Sequence, residues 1–215
     1  MSRTAYAVFS LAISLIFTAP AQATDWAGFY LFGGVGSEST DYKMEIPILP
    51  ASLYQTDYDS SGFQGIVGVK YDWDLQSRFV VGVGANAHWS NSSLTADIFP
   101  TLPGLSNIGL KQGFGYDLFS TMGYKLNDAF LVYGIVGWTK QDFTITATST
   151  NETFDWSKTG FQYGGGFEFA LNEKIHLNLE FRQTEFNTED FNSAGVFLFD
   201  TTHQSVIAGL KFKLN

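Results

Sequence analysis

The sequence predicts an all-β protein: an eight-stranded antiparallel up-and-down transmembrane β-barrel with four long extracellular loops and three short periplasmic turns. Three observations carry that reading. Apolar residues recur with a period of two along one segment after another. Long and short connections alternate strictly between those segments. The bulkier face of the segments would overfill so narrow a barrel, so it has to point outward, and outward-facing bulk of that extent requires lipid.

The first 23 residues read as a cleaved signal peptide, leaving 24–215 as the barrel domain. Arg3 supplies a positive start, an apolar stretch runs from Ala5 to Phe17, and Pro20-Ala21-Gln22-Ala23 closes it with small residues. That stretch is shorter than the ~20 apolar residues of a spanning helix, and no later run is long enough for one. The 215-residue length fits one domain.

From Trp26 on, the pattern changes to strands. Eight segments are expected, at residues 26–38, 61–71, 79–89, 111–126, 129–144, 161–171, 175–182 and 205–214. In the sixth, Phe161, Tyr163, Gly165, Phe167, Phe169 and Leu171 share one face, opposite Gln162, Gly164, Gly166, Glu168 and Ala170. In the third, Phe79, Val81, Val83, Ala85, Ala87 and Trp89 oppose Arg78, Val80, Gly82, Gly84, Asn86 and His88. The seventh sets Ile175, Leu177, Leu179 and Phe181 against His176, Asn178, Glu180 and Arg182, and the eighth sets Val206, Ala208, Leu210, Phe212 and Leu214 against Ser205, Ile207, Gly209, Lys211 and Lys213. None of these windows fits a 3.6-residue period as well. In segments 26–38 and 129–144 both faces are apolar, so the pattern does not tell inside from outside.

Residues 72–77, 127–128 and 172–173 are Asn/Asp-rich tight turns. The other connections, 39–60, 91–110, 145–158 and 187–202, are long. Strict alternation places all short turns at one end and all long loops at the other, the asymmetry of outer-membrane barrels.

A soluble eight-stranded barrel would show the same alternation. Its interior, however, is only wide enough for closely packed side chains or one small ligand. The Gly, Ala, Ser and Gln face fits there. The Phe-rich face then covers the outside, far beyond the few hundred Å² of contiguous apolar surface that a soluble monomer tolerates. Tyr71, Trp89, Tyr124, Trp138 and Trp156 fall near strand ends, where aromatic girdles meet lipid headgroups.

Inward positions carry Lys70, Arg78, Asp117, Lys125, Glu168, Glu180, Arg182 and Lys211. Buried charges persist when paired and hydrogen-bonded, so these residues are expected to form a structural network across the lumen. A narrow ion pore is the alternative, though eight strands leave no room for a porin-like channel.

Composition narrows the chemistry further. The absence of cysteine excludes disulfides and thiolate sites, and a net charge of −9 opposes nucleic-acid binding. His88, His176 and His203 lack metal-ligand spacing. The clusters Gly33-Gly34-Val35-Gly36 and Gly164-Gly165-Gly166 lack the helix and the Lys-Ser/Thr pair of a phosphate loop. No cofactor, no metal and no catalysis are expected. One competing string is His88-Trp89-Ser90-Asn91, which resembles the H-x-S-N motif of outer-membrane lipid A deacylases over four residues. Period two puts His88 and Ser90 on the lumen side, away from a lipid substrate.

Partners are expected at the outer membrane: its lipid, its lipopolysaccharide, and an extracellular ligand at loops 39–60, 91–110, 145–158 and 187–202. The loops are acidic, with Glu38, Asp41, Glu45, Asp57 and Asp59 against Lys43 alone at the first and Glu185, Glu189, Asp190 and Asp200 at the last. Ile46, Ile48, Leu49, Phe99, Leu102 and Leu105 add apolar contact surface. The protein is read as a monomer.

Asp25-Trp26-Ala27-Gly28-Phe29-Tyr30, followed by Gly33-Gly34-Val35-Gly36, resembles the opening of small proteobacterial outer-membrane barrels. These are the opacity-type surface proteins of the porin family, which include alphaproteobacterial surface antigens. The resemblance extends over the mature chain, with 79–87 like their third strand and 206–212 like their closing one. It implies an eight-stranded outer-membrane barrel with a role in envelope integrity, adhesion or surface recognition. The family's last strand usually ends in an aromatic residue, whereas this chain ends Phe212-Lys213-Leu214-Asn215.

Overall fold

The computed structural model describes residues 25–48, 52–75, 78–96, 108–147, 152–190 and 198–214. The leader read at 1–23 lies outside the described residues, as do Leu49, Phe99, Leu102 and Leu105. The elements are β1 (Gly28–Ile48), β2 (Ser52–Asp74), β3 (Phe79–Ser90), β4 (Ser93–Ala96), β5 (Ile108–Asn127), β6 (Phe130–Ala147), β7 (Glu152–Ala170), β8 (Ile175–Asp190) and β9 (Leu198–Lys213), with no helix among the described residues. Sequence neighbours other than β3 and β4 pair antiparallel, β1 also pairs with β9, and β3 pairs directly with β5, which closes the sheet into a barrel. Short β4 extends the β3 edge along β5, so eight long strands form the wall.

The alternation emerges as exposure. Along β5, Phe114, Tyr116, Leu118 and Met122 face outward while Gln112, Asp117, Phe119 and Thr121 are buried. Phe161, Phe167, Leu177, Phe181, Leu210 and Phe212 likewise cover the exterior. In the two strands with apolar faces on both sides, tertiary packing makes the choice. Tyr30 and Phe32 of β1 point inward and Phe29 and Leu31 outward; in β6, Leu131, Tyr133 and Ile135 are inside and Val136 and Trp138 outside.

The short turns are held by their own side chains. Asn127 Oδ1 accepts from Ala129 N at 2.9 Å, and Asn172 Oδ1 accepts from Lys174 N and Ile175 N, each at 2.9 Å. The β1–β9 seam is fastened by Leu214 N donating to Phe29 O at 2.8 Å and by Lys213 Nζ donating to Asp25 O at 2.8 Å.

Two expectations are corrected. The long connections are largely paired strand: β1 and β2 continue in register to Ile48↔Ser52 and β6 and β7 to Ala147↔Glu152, while β8 and β9 pair on to Asp190↔Leu198 after a register shift between Phe186 and Glu189. Beyond the lipid band the outward face turns polar, as at Ser39, Asp41, Asp59, Asp142 and Asp155, so the bulky outer stripe that marks a strand is lost while backbone pairing goes on. The interior is also less polar than expected. Three apolar clusters are stacked along it, centred on Trp26 and Leu131, on Phe32 and Phe119, and on Phe143 and Phe186. Glycines on facing strands make room for the rings. A Cβ at Gly84 would lie 2.6 Å from Phe119 Cζ, and one at Gly137 2.8 Å from Phe119 Cβ.

Candidate functional site

Polar layers alternate with these apolar clusters inside the barrel. The layer nearer the short-turn end is built on Lys211 of β9, whose Nζ lies 2.7 Å from both Glu168 carboxylate oxygens and 3.2 Å from Asp72 Oδ2. Lys70 reaches Asp72 Oδ1 at 2.8 Å, and His176 Nδ1 lies 2.7 Å from Glu168 Oε1. The imidazole of His176 sits between the rings of Trp26 and Tyr30, and the Lys211 ammonium lies 4.3 Å from the Tyr30 ring centre. All of these side chains are closed off from solvent, so each charge depends on its partners.

A second layer surrounds Arg182 of β8. Its guanidinium lies 2.6 Å from Glu180 Oε2 and 3.3 Å from Asp117 Oδ2. Tyr133 donates to Glu180 Oε1 at 2.6 Å, and His88 Nδ1 lies 3.4 Å from Asp117 Oδ1. The apolar cluster of Phe32, Ile66, Phe119, Ile135 and Ile207 packs beside both layers, which meet at Tyr133: its ring centre lies 5.4 Å from Lys70 Nζ while its hydroxyl holds Glu180. Two small voids lie among these residues, one of about 20 Å³ beside His88, Asp117 and Arg182 and one of about 10 Å³ bordered by Lys70, Glu168, Lys211 and Glu180, each with room for about one water molecule.

Six of the eight expected lumen residues therefore lie in these buried layers: Lys70, Asp117, Glu168, Glu180, Arg182 and Lys211. Lys125 pairs instead with Asp74 at 2.8 Å in a half-exposed bridge at the short-turn mouth. Arg78 is a correction. It precedes β3, so strand alternation does not govern it; it is exposed and donates to Tyr124 Oη at 3.2 Å. Glu168 and Glu180 each take their own cation and form no carboxylate pair of the acid–base kind. Asp72 was missed as a lumen residue because the expected turn began there. Its shared parity with Lys70 on one strand was the available signal.

Four of the expected girdle residues, Tyr71, Trp89, Tyr124 and Trp138, face outward near the ends of the apolar band; Trp73, Tyr116 and Tyr163 share that exterior. Trp156 is the second correction. It points inward beyond the band and stacks on Phe143 with ring centres 5.5 Å apart.

The hydrolase string is also located. Ser90 donates to Glu38 Oε1, whereas His88 Nε2 bonds to the Gln141 side-chain oxygen. Nucleophile and base are thus committed to different partners inside the lumen, without the hydrogen bond an activated serine needs. Glu38, counted above among the acidic loop residues, is buried. Among the described residues no group of three or more His, Cys, Asp or Glu side chains is placed to hold a metal ion.

Comparison with known proteins then decides the lineage. The family described as "Outer membrane protein beta-barrel domain" matches residues 9–212. The chain belongs to this family. It is 30% identical to a 22 kDa outer membrane protein of Rhizobium leguminosarum over 89% of this chain and 79% of that one. It is 27% identical to a 31 kDa outer-membrane immunogenic protein of Brucella melitensis, over 78% of this chain and 74% of the relative. The crystal structure of Neisserial surface protein A covers 87% of this chain and 98% of its own at a TM-score of 0.51 and 10% identity, a likeness of fold. As an outer-membrane β-barrel protein, the chain resides in the outer membrane of a Gram-negative envelope, with its Phe-rich exterior against lipid.

Proposed function

We propose that this protein is a sealed, non-catalytic barrel that reinforces the envelope and presents its acidic hairpins for surface interaction or adhesion. The observation that carries the reading is the filled lumen. Among the described residues, three apolar clusters and two ion-pair layers occupy the interior, and the voids beside them are as small as about 20 and 10 Å³, which favours a plug over a porin-like channel. Function then falls to the hairpins projecting beyond the apolar band on a rigid scaffold. Asp41, Asp59, Asp142, Asp155 and Glu185 are exposed there, which suits basic partners or cation-bridged lipopolysaccharide. The name of the Brucella relative, an immunogenic protein, is in keeping with exposed hairpins. Export through the leader at 1–23 and a monomeric barrel complete the proposal.

Planar-bilayer recordings of refolded protein are expected to show no conductance steps; reproducible steps would establish the pore instead. The lipid A mass spectrum of cells carrying Ser90→Ala is expected to match that of cells carrying the native protein. A change in acylation between the two would restore the hydrolase reading.

A further inference from the structure

The exterior wall is not evenly convex. From β1 across β2, β3, β5 and β6 to β7 runs an open furrow of about 670 Å³, lined mostly by apolar side chains. Its floor is low because Ala85 and Ser120 stand where most outward positions hold Phe, Leu or Val. Tyr71, Val83, Leu118 and Phe161 rise around them. Register makes the furrow continuous: Tyr71 is opposite Val83, Val83 opposite Ser120, and Ala85 opposite Leu118. It therefore crosses the strands instead of following one of them. All of this lies within the lipid-facing band, so only an acyl chain can fill it.

Charge identifies which lipid. Lys140 is the first outward side chain beyond Trp138 on β6, two positions or ~7 Å farther toward the hairpin end. Phe161, at the furrow's upper end, is opposite that same Trp138. The other described outward charges around this end are mostly carboxylates, and Asp142 and Asp155 stand farther from the band than Lys140 does. An anionic headgroup is thus repelled around most of the rim and accepted above the furrow. Long hairpins mark the outward-facing side of an outer-membrane barrel, and lipopolysaccharide is the phosphorylated lipid of that leaflet.

We infer that the barrel carries a seat for one lipopolysaccharide molecule, with an acyl chain in the furrow floored by Ala85 and Ser120 and a lipid A phosphate on Lys140. This rests on the reading of the protein as a surface component of the envelope and supplies the partner for one face of it. No covalent step is involved.

The test is native mass spectrometry of detergent-refolded protein titrated with bisphosphorylated lipid A, dephosphorylated lipid A and phosphatidylglycerol. The unaltered protein is expected to retain one lipid A, at least tenfold more tightly than phosphatidylglycerol. Ser120→Leu, alone and with Ala85→Leu, fills the furrow and is expected to weaken both forms of lipid A tenfold or more. Lys140→Gln is expected to weaken only the phosphorylated form, bringing it level with the dephosphorylated one. Binding by the filled variants within twofold of the unaltered protein, or equal binding of phosphatidylglycerol, would overturn the seat. Heat-modifiable gel mobility of each variant reports the folded barrel separately. A lost seat in a folded, non-conducting barrel leaves the proposed function standing, whereas conductance steps would remove that function whatever lipid is bound.

Discussion

Lys211→Met is expected to lower the unfolding free energy by about 3–5 kcal/mol, the range for breaking a buried ion pair by removing one partner. Lys211 is the only side chain among the described residues that touches both Glu168 and Asp72, at 2.7 and 3.2 Å. Without it two carboxylates remain beside a single ammonium, that of Lys70, in a compartment closed to water. Methionine has nearly the length of lysine, so little of the loss can be assigned to a cavity. The measurement is urea unfolding of protein refolded into phospholipid vesicles. The double variant Lys211→Met with Glu168→Gln should recover part of the loss, because it removes one of the stranded charges. A single variant as stable as the native protein would show that the layer is hydrated and would remove the proposed sealed lumen.

Leu179→Arg is the complementary experiment on the other surface. Leu179 lies near the middle of the outward apolar run of β8, between Ile175 and Gln183. An arginine near the midplane of a transmembrane barrel costs about 2–4 kcal/mol, falling toward zero near the interfaces. Gln183→Arg, on the same outward face but at the band's edge, should therefore cost at most about 1 kcal/mol. Both are read from the same urea titration in vesicles. Equal costs at the two positions would mean that β8 does not cross a hydrocarbon layer in this orientation. Because Glu180 follows Leu179 directly and points into the lumen, the pair of experiments also probes the one-residue register on which the whole assignment depends.

How much was legible in the sequence varies with the kind of contact that specifies each feature. Where one face is bulky and the other small, as at 161–171 and 79–89, alternation reports the environment residue by residue, and the expected orientation is the observed one. Where both faces carry rings or branched side chains, as at Tyr30 and Phe29 or Leu131 and Val132, the pattern is silent. The choice there comes from the space left by glycines on facing strands, such as Gly84 and Gly137 around Phe119. Arg78 and Trp156 were misplaced for related reasons. Arg78 stands outside the strand whose parity was applied to it, and Trp156 stands beyond the band, where an aromatic residue caps the interior instead of meeting headgroups.

By itself, then, the sequence determined the class of surface: an exterior fit for lipid, an interior carrying charge, and turns sorted to one end. Those properties depend on one side chain and its solvent, and a period of two records them directly. Only the tertiary structure decided who pairs with whom. Lys211 meets Asp72 across 139 positions of chain, and the apolar cluster around Phe32 and Phe119 is assembled from five strands. Such contacts are set by register and closure of the barrel, which no local pattern encodes.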